Sequence, residues 1–220
     1  MGRTISIRGI GKISIKPDMT VVSLNVRTVD KIYDKAMDKA GKALDSLRDS
    51  LAGIGFGDDA LKTEAFNVGT EYESRPDKNG RYKNYFTGYS VSHRMKLEFG
   101  FDTELLSKTL GAISSCIAEP ELNVQFTVRD KEEALKKLLA DACADAREKA
   151  LVLTKASGVM LGEIQSIDYS FSDTPMYSRT RYAVEDACMV KACGAAPNAI
   201  SIAPDDIEVS DGVTVVWEIR

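Results

Sequence analysis

The chain has 220 residues, a formal net charge of −4, and 44% hydrophobic against 28% charged residues. That balance belongs to a globular protein with a real core, and an acidic chain lacks the basic excess of a nucleic-acid-tracking surface. No stretch approaches the ~18 consecutive apolar residues of a membrane span, and a single histidine removes most hydrolase and zinc chemistry.

From Arg3 to Ile15, apolar residues alternate on both sides of Gly9-Ile10-Gly11, which predicts a strand with a bend or bulge at the glycines. Gly9-x-Gly11 is not a nucleotide loop, because no helix follows and the third glycine is missing. The Gly2–Ser6 stretch fits a loose myristoylation pattern, but Thr4 to Ile7 reads better as strand. After Pro17-Asp18 a second strand carries Val22, Leu24 and Val26 on one face. Asp30 is placed to cap a helix through about Ala52, with Tyr33, Ala36/Met37, Ala40, Leu44, Leu47 and Leu51 in its stripe. Two long strands follow, one with Phe66, Val68, Thr70 and Tyr72, the other with Tyr89 to Phe99. The Pro and Asn-Gly signals within Arg75–Gly80 make them a hairpin. Asp102 caps a shorter helix facing Leu106, Leu110, Ile113 and Ile117 inward, and Leu122 to Val128 alternate as a strand.

The longest helical pattern runs from Asp130 to Ile164, with Leu135, Leu138, Ala142, Ala146, Ala150 and Leu153 on its apolar face. Asp130 with Glu133 forms a capping box, and Ser157-Gly158 marks the stop. Ile167, Tyr169 and Phe171 predict a further strand. A long final strand from Ile207 to Ile219 is expected to be interrupted by a bulge or turn at Asp211-Gly212. Between them, Ser172 to Pro204 exceeds the ~12–15 residues usual for a structureless connection. A short helix is expected over 182–192, and this segment is expected to move most. The fold class is therefore α+β with a mostly antiparallel sheet: a ferredoxin-like βαββαβ core over 18–129 in a single domain, 1–220. The long helix, a variable loop over 172–204 and C-terminal strands occupy 130–220.

Candidate chemistry is sparse. His93 lies between Val91 and Met95 on the apolar side of its strand, where a hydrogen-bonded core histidine is the default over a general base. Asp141, Asp145 and Glu148 cluster on the long helix, but their neighbours Lys137, Arg147 and Lys149 point to a solvated face. Asp205, Asp206 and Glu208 suggest a cation site less simply than a turn before the last strand. Cys116 and Cys143 fall in helical patterns as buried thiols, and Cys188 with Cys193 is a candidate redox pair or half of a metal site, for which a single histidine and no second cysteine pair leave little support. Tyr72, Tyr82, Tyr85, Phe86 and Tyr89 gather at the hairpin; sheet packing is the first reading and a subunit contact the second. No catalytic, cofactor-binding or metal residue is assigned.

Taken together, ISIRGIGKISIKPD at the start, Thr87-Gly88-Tyr89, the run ADAREKALVLTKASGVMLGEI and the closing VTVVWEI resemble the SIMPL-domain family. The matching pieces are Gly9/Gly11, Lys16-Pro17-Asp18, Asp145-Ala146 with Lys149-Ala150, Gly158-Val159 with Leu161-Gly162, and Val213 to Ile219. The resemblance implies a bacterial protein of the kind exported to the periplasm. It also implies links to oxidative-stress defence, an immunogenic member, a ring-like or channel-like oligomer and no established catalytic residues; an animal member is a kinase-signalling adaptor. On that basis the expected function is a non-enzymatic, self-assembling protein, a homo-oligomer without cofactor. The alternative is a small-molecule-binding module or unrecognised enzyme using 172–204 as a lid. The start MGRTISIRG lacks the apolar run of a secretory signal, so the chain as given reads as cytoplasmic, or periplasmic if a leader precedes it.

Overall fold

The computed structural model describes residues 2–76, 81–170, 175–184 and 202–220. In chain order the elements are β1 (Thr4–Ile15), β2 (Met19–Asp30), α1 (Tyr33–Ala52), β3 (Leu61–Pro76), β4 (Tyr82–Gly100), α2 (Thr103–Ser114), β5 (Glu121–Thr127), α3 (Lys131–Ala156), β6 (Leu161–Asp168), β7 (Tyr182–Val184) and β8 (Ile207–Ile219). The class is α+β, with two antiparallel sheets, and the chain divides into two compact units.

The first unit joins Met1–Asp18, Thr127–Arg179 and Pro204–Arg220. Its sheet has the order β1-β8-β6, and α3 lies against it. β1 and β8 pair in unbroken register from Thr4↔Glu218 to Ile15↔Ile207. The bend expected at Gly9–Gly11 and the interruption expected at Asp211-Gly212 are therefore both absent; Gly11 faces Asp211 and Ile10 faces Gly212. The glycines serve spacing instead. A Cβ on Gly9 would lie 2.0 Å from the Ala142 carbonyl oxygen, and one on Gly11 would lie 2.1 Å from that of Leu138. Only a strand without side chains there admits the helix backbone so closely.

Helix α3 starts where the Asp130 carboxylate accepts from the Glu133 amide at 2.8 Å, and it ends before Gly158, whose φ is +67°. Its buried row is Ala134, Leu138, Ala142, Ala146, Ala150 and Thr154, each four residues from the next. The expected stripe included Leu135 and Leu153; Leu135 is only partly buried and Leu153 is exposed. Close approach to glycine selects the row of small side chains, not the row of large ones. Ala142, Ala146 and Ala150 pack on Ile7, Val213, Val215 and Trp217, while Leu138 joins Val128, Met176, Ile207 and Val209. Burial of the larger groups, about 1.5–3 kcal/mol each, outweighs ion pairs such as Glu133–Lys137, worth about 0.3–0.5 kcal/mol at this spacing.

The second unit joins Met19–Phe126 and Thr180–Ala203. Its sheet order is β3-β4-β2-β5-β7. Both helices feed one core, in which Leu47 and Leu51 of α1 and Leu106, Leu110 and Ile113 of α2 meet Val22, Leu24, Val26, Met95 and Leu97. Three local expectations change here. Asp30 does not cap α1. It ends β2, its carboxylate accepts from the Ile32 amide at 3.0 Å and pairs with Lys39, and Ile32 stands at the cap without a side-chain bond. Ile117 is 89% exposed because α2 ends at Ser114, three residues earlier, so helical spacing no longer turns it inward. Residues Tyr182–Val184 are a strand paired to β5, not the start of a helix.

Of the thiols, Cys116 is buried beside the Ser46 hydroxyl at 3.1 Å. Cys143 is exposed, because it sits one position, about 100° of helix, round from the buried Ala142. Cys188, Cys193 and most of the 172–204 segment, with the hairpin turn at 77–80, lie outside the described residues.

Candidate functional site

Two features of the fold present chemistry or surface beyond simple packing, one in each unit. The first is the outer edge of β1. Antiparallel pairing alternates residues whose backbone faces the neighbour with residues whose backbone faces away. Ile219 donates its amide to the Arg3 carbonyl at 3.0 Å, so odd-numbered β1 residues face β8 and even-numbered ones point outward. Side chains of α3 reach that outward row. The Asp141 carboxylate accepts from the Lys12 amide at 2.9 Å, and the Asp145 carboxylate accepts from the Ile10 amide at 2.7 Å. Lys149 donates to the Arg8 carbonyl at 3.5 Å and to Asp145 at 2.6 Å. Four helical residues rise about 6.0 Å and two strand residues about 6.6 Å, so the helix row keeps step with the strand. In effect α3 stands in for a neighbouring strand along Arg8–Lys12.

Asp141 and Glu148 are exposed, as the solvated-face reading has it, and Asp145 is partly buried; Asp141 and Asp145 in addition bond the β1 edge. Their spacing was visible in the sequence, but the strand they reach lies some 130 residues away along the chain. The Asp145 carboxyl is held below its ordinary value of 3.8, first by Lys149 and then by the Ile10 amide. A depressed carboxyl adds stability that is present above that ordinary value and lost as pH falls through the folded one. Asp145→Asn is expected to flatten the acid limb of a stability–pH profile followed by thermal melts from pH 7 to pH 2. An unchanged limb would show that this bond does not hold the edge.

The remaining recurrent motifs resolve into geometry of the same kind. Asp18 of Lys16-Pro17-Asp18 accepts from the Arg129 amide at 2.7 Å and donates its own amide to the Thr127 carbonyl at 3.1 Å. Val159 closes back on the Thr154 carbonyl at 3.0 Å, and Met160 exchanges backbone bonds with Arg220. A Cβ on Gly162 would meet the Glu218 carbonyl oxygen at 2.9 Å, and one on Gly88 would meet that of Asp30 at 2.6 Å.

The second feature is an aromatic arm. β4 pairs with β2 only as far as Tyr89, while its pairing with β3 continues to Pro76↔Tyr82. Residues 71–76 and 82–88 thus form a two-stranded ribbon about 20–24 Å long at 3.4 Å per residue. A register shift at Glu71/Tyr72 sets Phe86 opposite Tyr72. Edge-to-face contacts then run Tyr33–Tyr89–Phe86–Tyr72, with centroids 5.6, 5.3 and 5.9 Å apart. Helix α1 lies over β2 and β4, and the outer rings stay open: Tyr72 is 58% and Tyr82 75% exposed, with Phe66, Val68, Tyr85 and Phe86 also exposed. Ordinary sheet packing, the first reading of these aromatics, accounts for the Tyr89–Phe86–Tyr72 ring contacts but leaves much of Tyr72, Tyr82, Tyr85 and Phe86 in solvent.

His93 is buried on β4, with its Nε2 2.8 Å from the Thr63 hydroxyl and its ring edge-on to Phe66. Burial lowers its pKa, and Arg48 adds to the effect. The unfolded chain therefore binds this proton more readily, and stability falls as pH drops from about 6.5 towards the lowered folded value. His93→Gln should remove that slope from melts taken between pH 7.5 and pH 5; a slope unaltered by the substitution would assign it to other groups. Near β8, Asp206 accepts from the Ser14 hydroxyl at 3.4 Å and Glu208 pairs with Arg179 at 3.3 Å. Among the described residues no cluster of three or more His, Cys, Asp or Glu side chains is placed to hold a metal, and no helix is long and apolar enough to cross a membrane.

Comparison with known proteins agrees with this motif geometry in extent. The chain is 30% identical to the 26 kDa periplasmic immunogenic protein of Brucella melitensis biotype 1 over 98% of its own length and 84% of that protein's. It is 29% identical to the 26 kDa periplasmic immunogenic protein of Brucella abortus strain S19 over the same shares. Residues 5–217 match the SIMPL family, described as protein of unknown function (DUF541). That match spans the three helices and all but the outermost residues of the first and last strands, and the chain belongs to the SIMPL family.

Proposed function

We propose that this chain is a non-enzymatic, self-assembling protein of the periplasm, and that the aromatic arm is its docking element. One observation carries the reading: the ribbon 71–76/82–88 bears a row of exposed rings and, among the described residues, has no third strand beside it. A two-stranded ribbon is marginal on its own in water, and clustered tyrosine and phenylalanine are the side chains that anchor interfaces. The outer edge of β3, sixteen residues long, offers the backbone for pairing with a further strand. The family motifs favour a scaffold role over turnover, since Gly9, Gly11, Asp18, Asp145, Lys149 and Gly162 are each engaged in packing or backbone bonds. The periplasmic names of the relatives support the location, and a part in stress defence is the role the family resemblance suggests. Multi-angle light scattering over a hundredfold range of concentration (roughly, wide enough to bracket micromolar affinity) tests assembly. A species larger than 24.0 kDa is expected; a strict monomer throughout would defeat the reading.

A further inference from the structure

The outer edge of β1 is sealed along only part of its length. Asp141, Asp145 and Lys149 take the outward groups of Lys12, Ile10 and the Arg8 carbonyl. The next residue of that helical row is Leu153, which has no polar group to offer, and it comes opposite Ser6. Among the described residues the outward amides of Thr4, Ser6 and Arg8, and the carbonyls of Thr4 and Ser6, have no protein partner. Beside this open half lies a groove of about 500 Å³ between β1 and the C-terminal half of α3. Its helical wall sets Val152, 61% exposed, and Leu153, 48% exposed, beside the charged Asp145, Glu148 and Lys149.

We infer that Thr4–Arg8 is a strand-addition site, at which an extended peptide segment pairs with the outer edge of β1 alongside the Val152–Leu153 flank of α3. The backbone supplies affinity, since each added pair uses one of the vacant outward groups. The groove supplies selectivity. Alternate side chains of an added strand turn towards the helix; one meets Val152 and Leu153, and the next on that face, two residues along, comes to Glu148. Asp145 is already neutralised by Lys149, and the Arg8 guanidinium is turned over Gly212 of β8, whereas Glu148 has no ion pair among the described residues. The preferred occupant is therefore a segment with an apolar residue and, two positions away, a lysine or arginine. The chain's net charge of −4 favours the same sign. This site lies in the first unit and does not depend on the aromatic arm of the second.

The test uses a labelled eight-residue peptide in which valine and lysine alternate at every second position between threonines, with binding followed by fluorescence anisotropy. Saturable binding is expected, weakened at least about tenfold by Leu153→Asp and by N-methylation of alternate peptide amides. Glu148→Lys should weaken it as well, while the arm variant Tyr72→Ser should leave it unchanged. Both Leu153 and Glu148 are exposed, and circular dichroism checks that these variants fold. Amide exchange gives a second readout: Thr4, Ser6 and Arg8 should slow on adding peptide, while Ile10 and Lys12, already bonded, should not. Binding indifferent to N-methylation, or protection elsewhere, would overturn the assignment. So would Leu153→Asp abolishing self-association with no effect on the peptide, since the groove would then belong to a second copy.

Discussion

Gly9→Ala is expected to destabilise the first unit by about 3 kcal/mol, the upper end of the usual range for overpacking. For a chain of this size that is a fall in Tm of about 6–12 °C. The added methyl would sit 2.0 Å from the Ala142 carbonyl oxygen and 2.7 Å from the Ala146 Cβ. Because the nearest atom is backbone, trimming a neighbour does not make room, and Ala146→Gly should fail to rescue the variant. Gly11→Ala, at 2.1 Å from the Leu138 carbonyl, should behave alike. The contrast is Gly41→Ala in the middle of α1, where a Cβ meets nothing within 4 Å; that change should be neutral or stabilising by up to about 1 kcal/mol. Differential scanning calorimetry decides it. A Gly9→Ala protein melting with the parent would mean that α3 does not rest on β1 at the distance described.

The double variant Tyr72→Ser with Phe86→Ser is expected to shift the protein to monomer while leaving its melting temperature nearly unchanged. Both rings are about half exposed in the single chain and belong to no buried core cluster, so removing them empties no core. In an assembly the same rings would be buried, and centrally buried aromatic anchors cost about 2 kcal/mol or more each when truncated, enough for a loss of roughly a thousandfold in association for the pair. Light scattering of the variant beside the parent reads this directly. If the parent assembles and the variant assembles equally well, the arm is not the docking element, although self-association itself would stand. A coincident loss of Tm and assembly would instead assign the rings a folding role.

The elements themselves were largely legible in the chain. Alternation at Val22-Leu24-Val26 and Leu122-Val124-Phe126, the caps at Asp102 and Asp130, and the stop at Gly158 all depend on neighbours within a few residues, and the structure keeps them. Where the local signal had two meanings, distant contacts chose between them. Gly9 and Gly11 carry the same letters in a bulge as in a close approach. Asp30 has the chemistry of a cap but spends it on the turn after β2.

Composition and periodicity by themselves determined an acidic α+β protein, its helices and most of its strands, because burial of every second or every third-to-fourth residue is written along the chain. Only the tertiary structure decided that Asp141 and Asp145 bind the β1 edge, that this cover stops short of Ser6, and that the hairpin aromatics stay open. Each of these depends on which surfaces lie opposite one another after folding. A spacing of four marks a helical face, but what that face meets is fixed by pairings between residues more than a hundred positions apart.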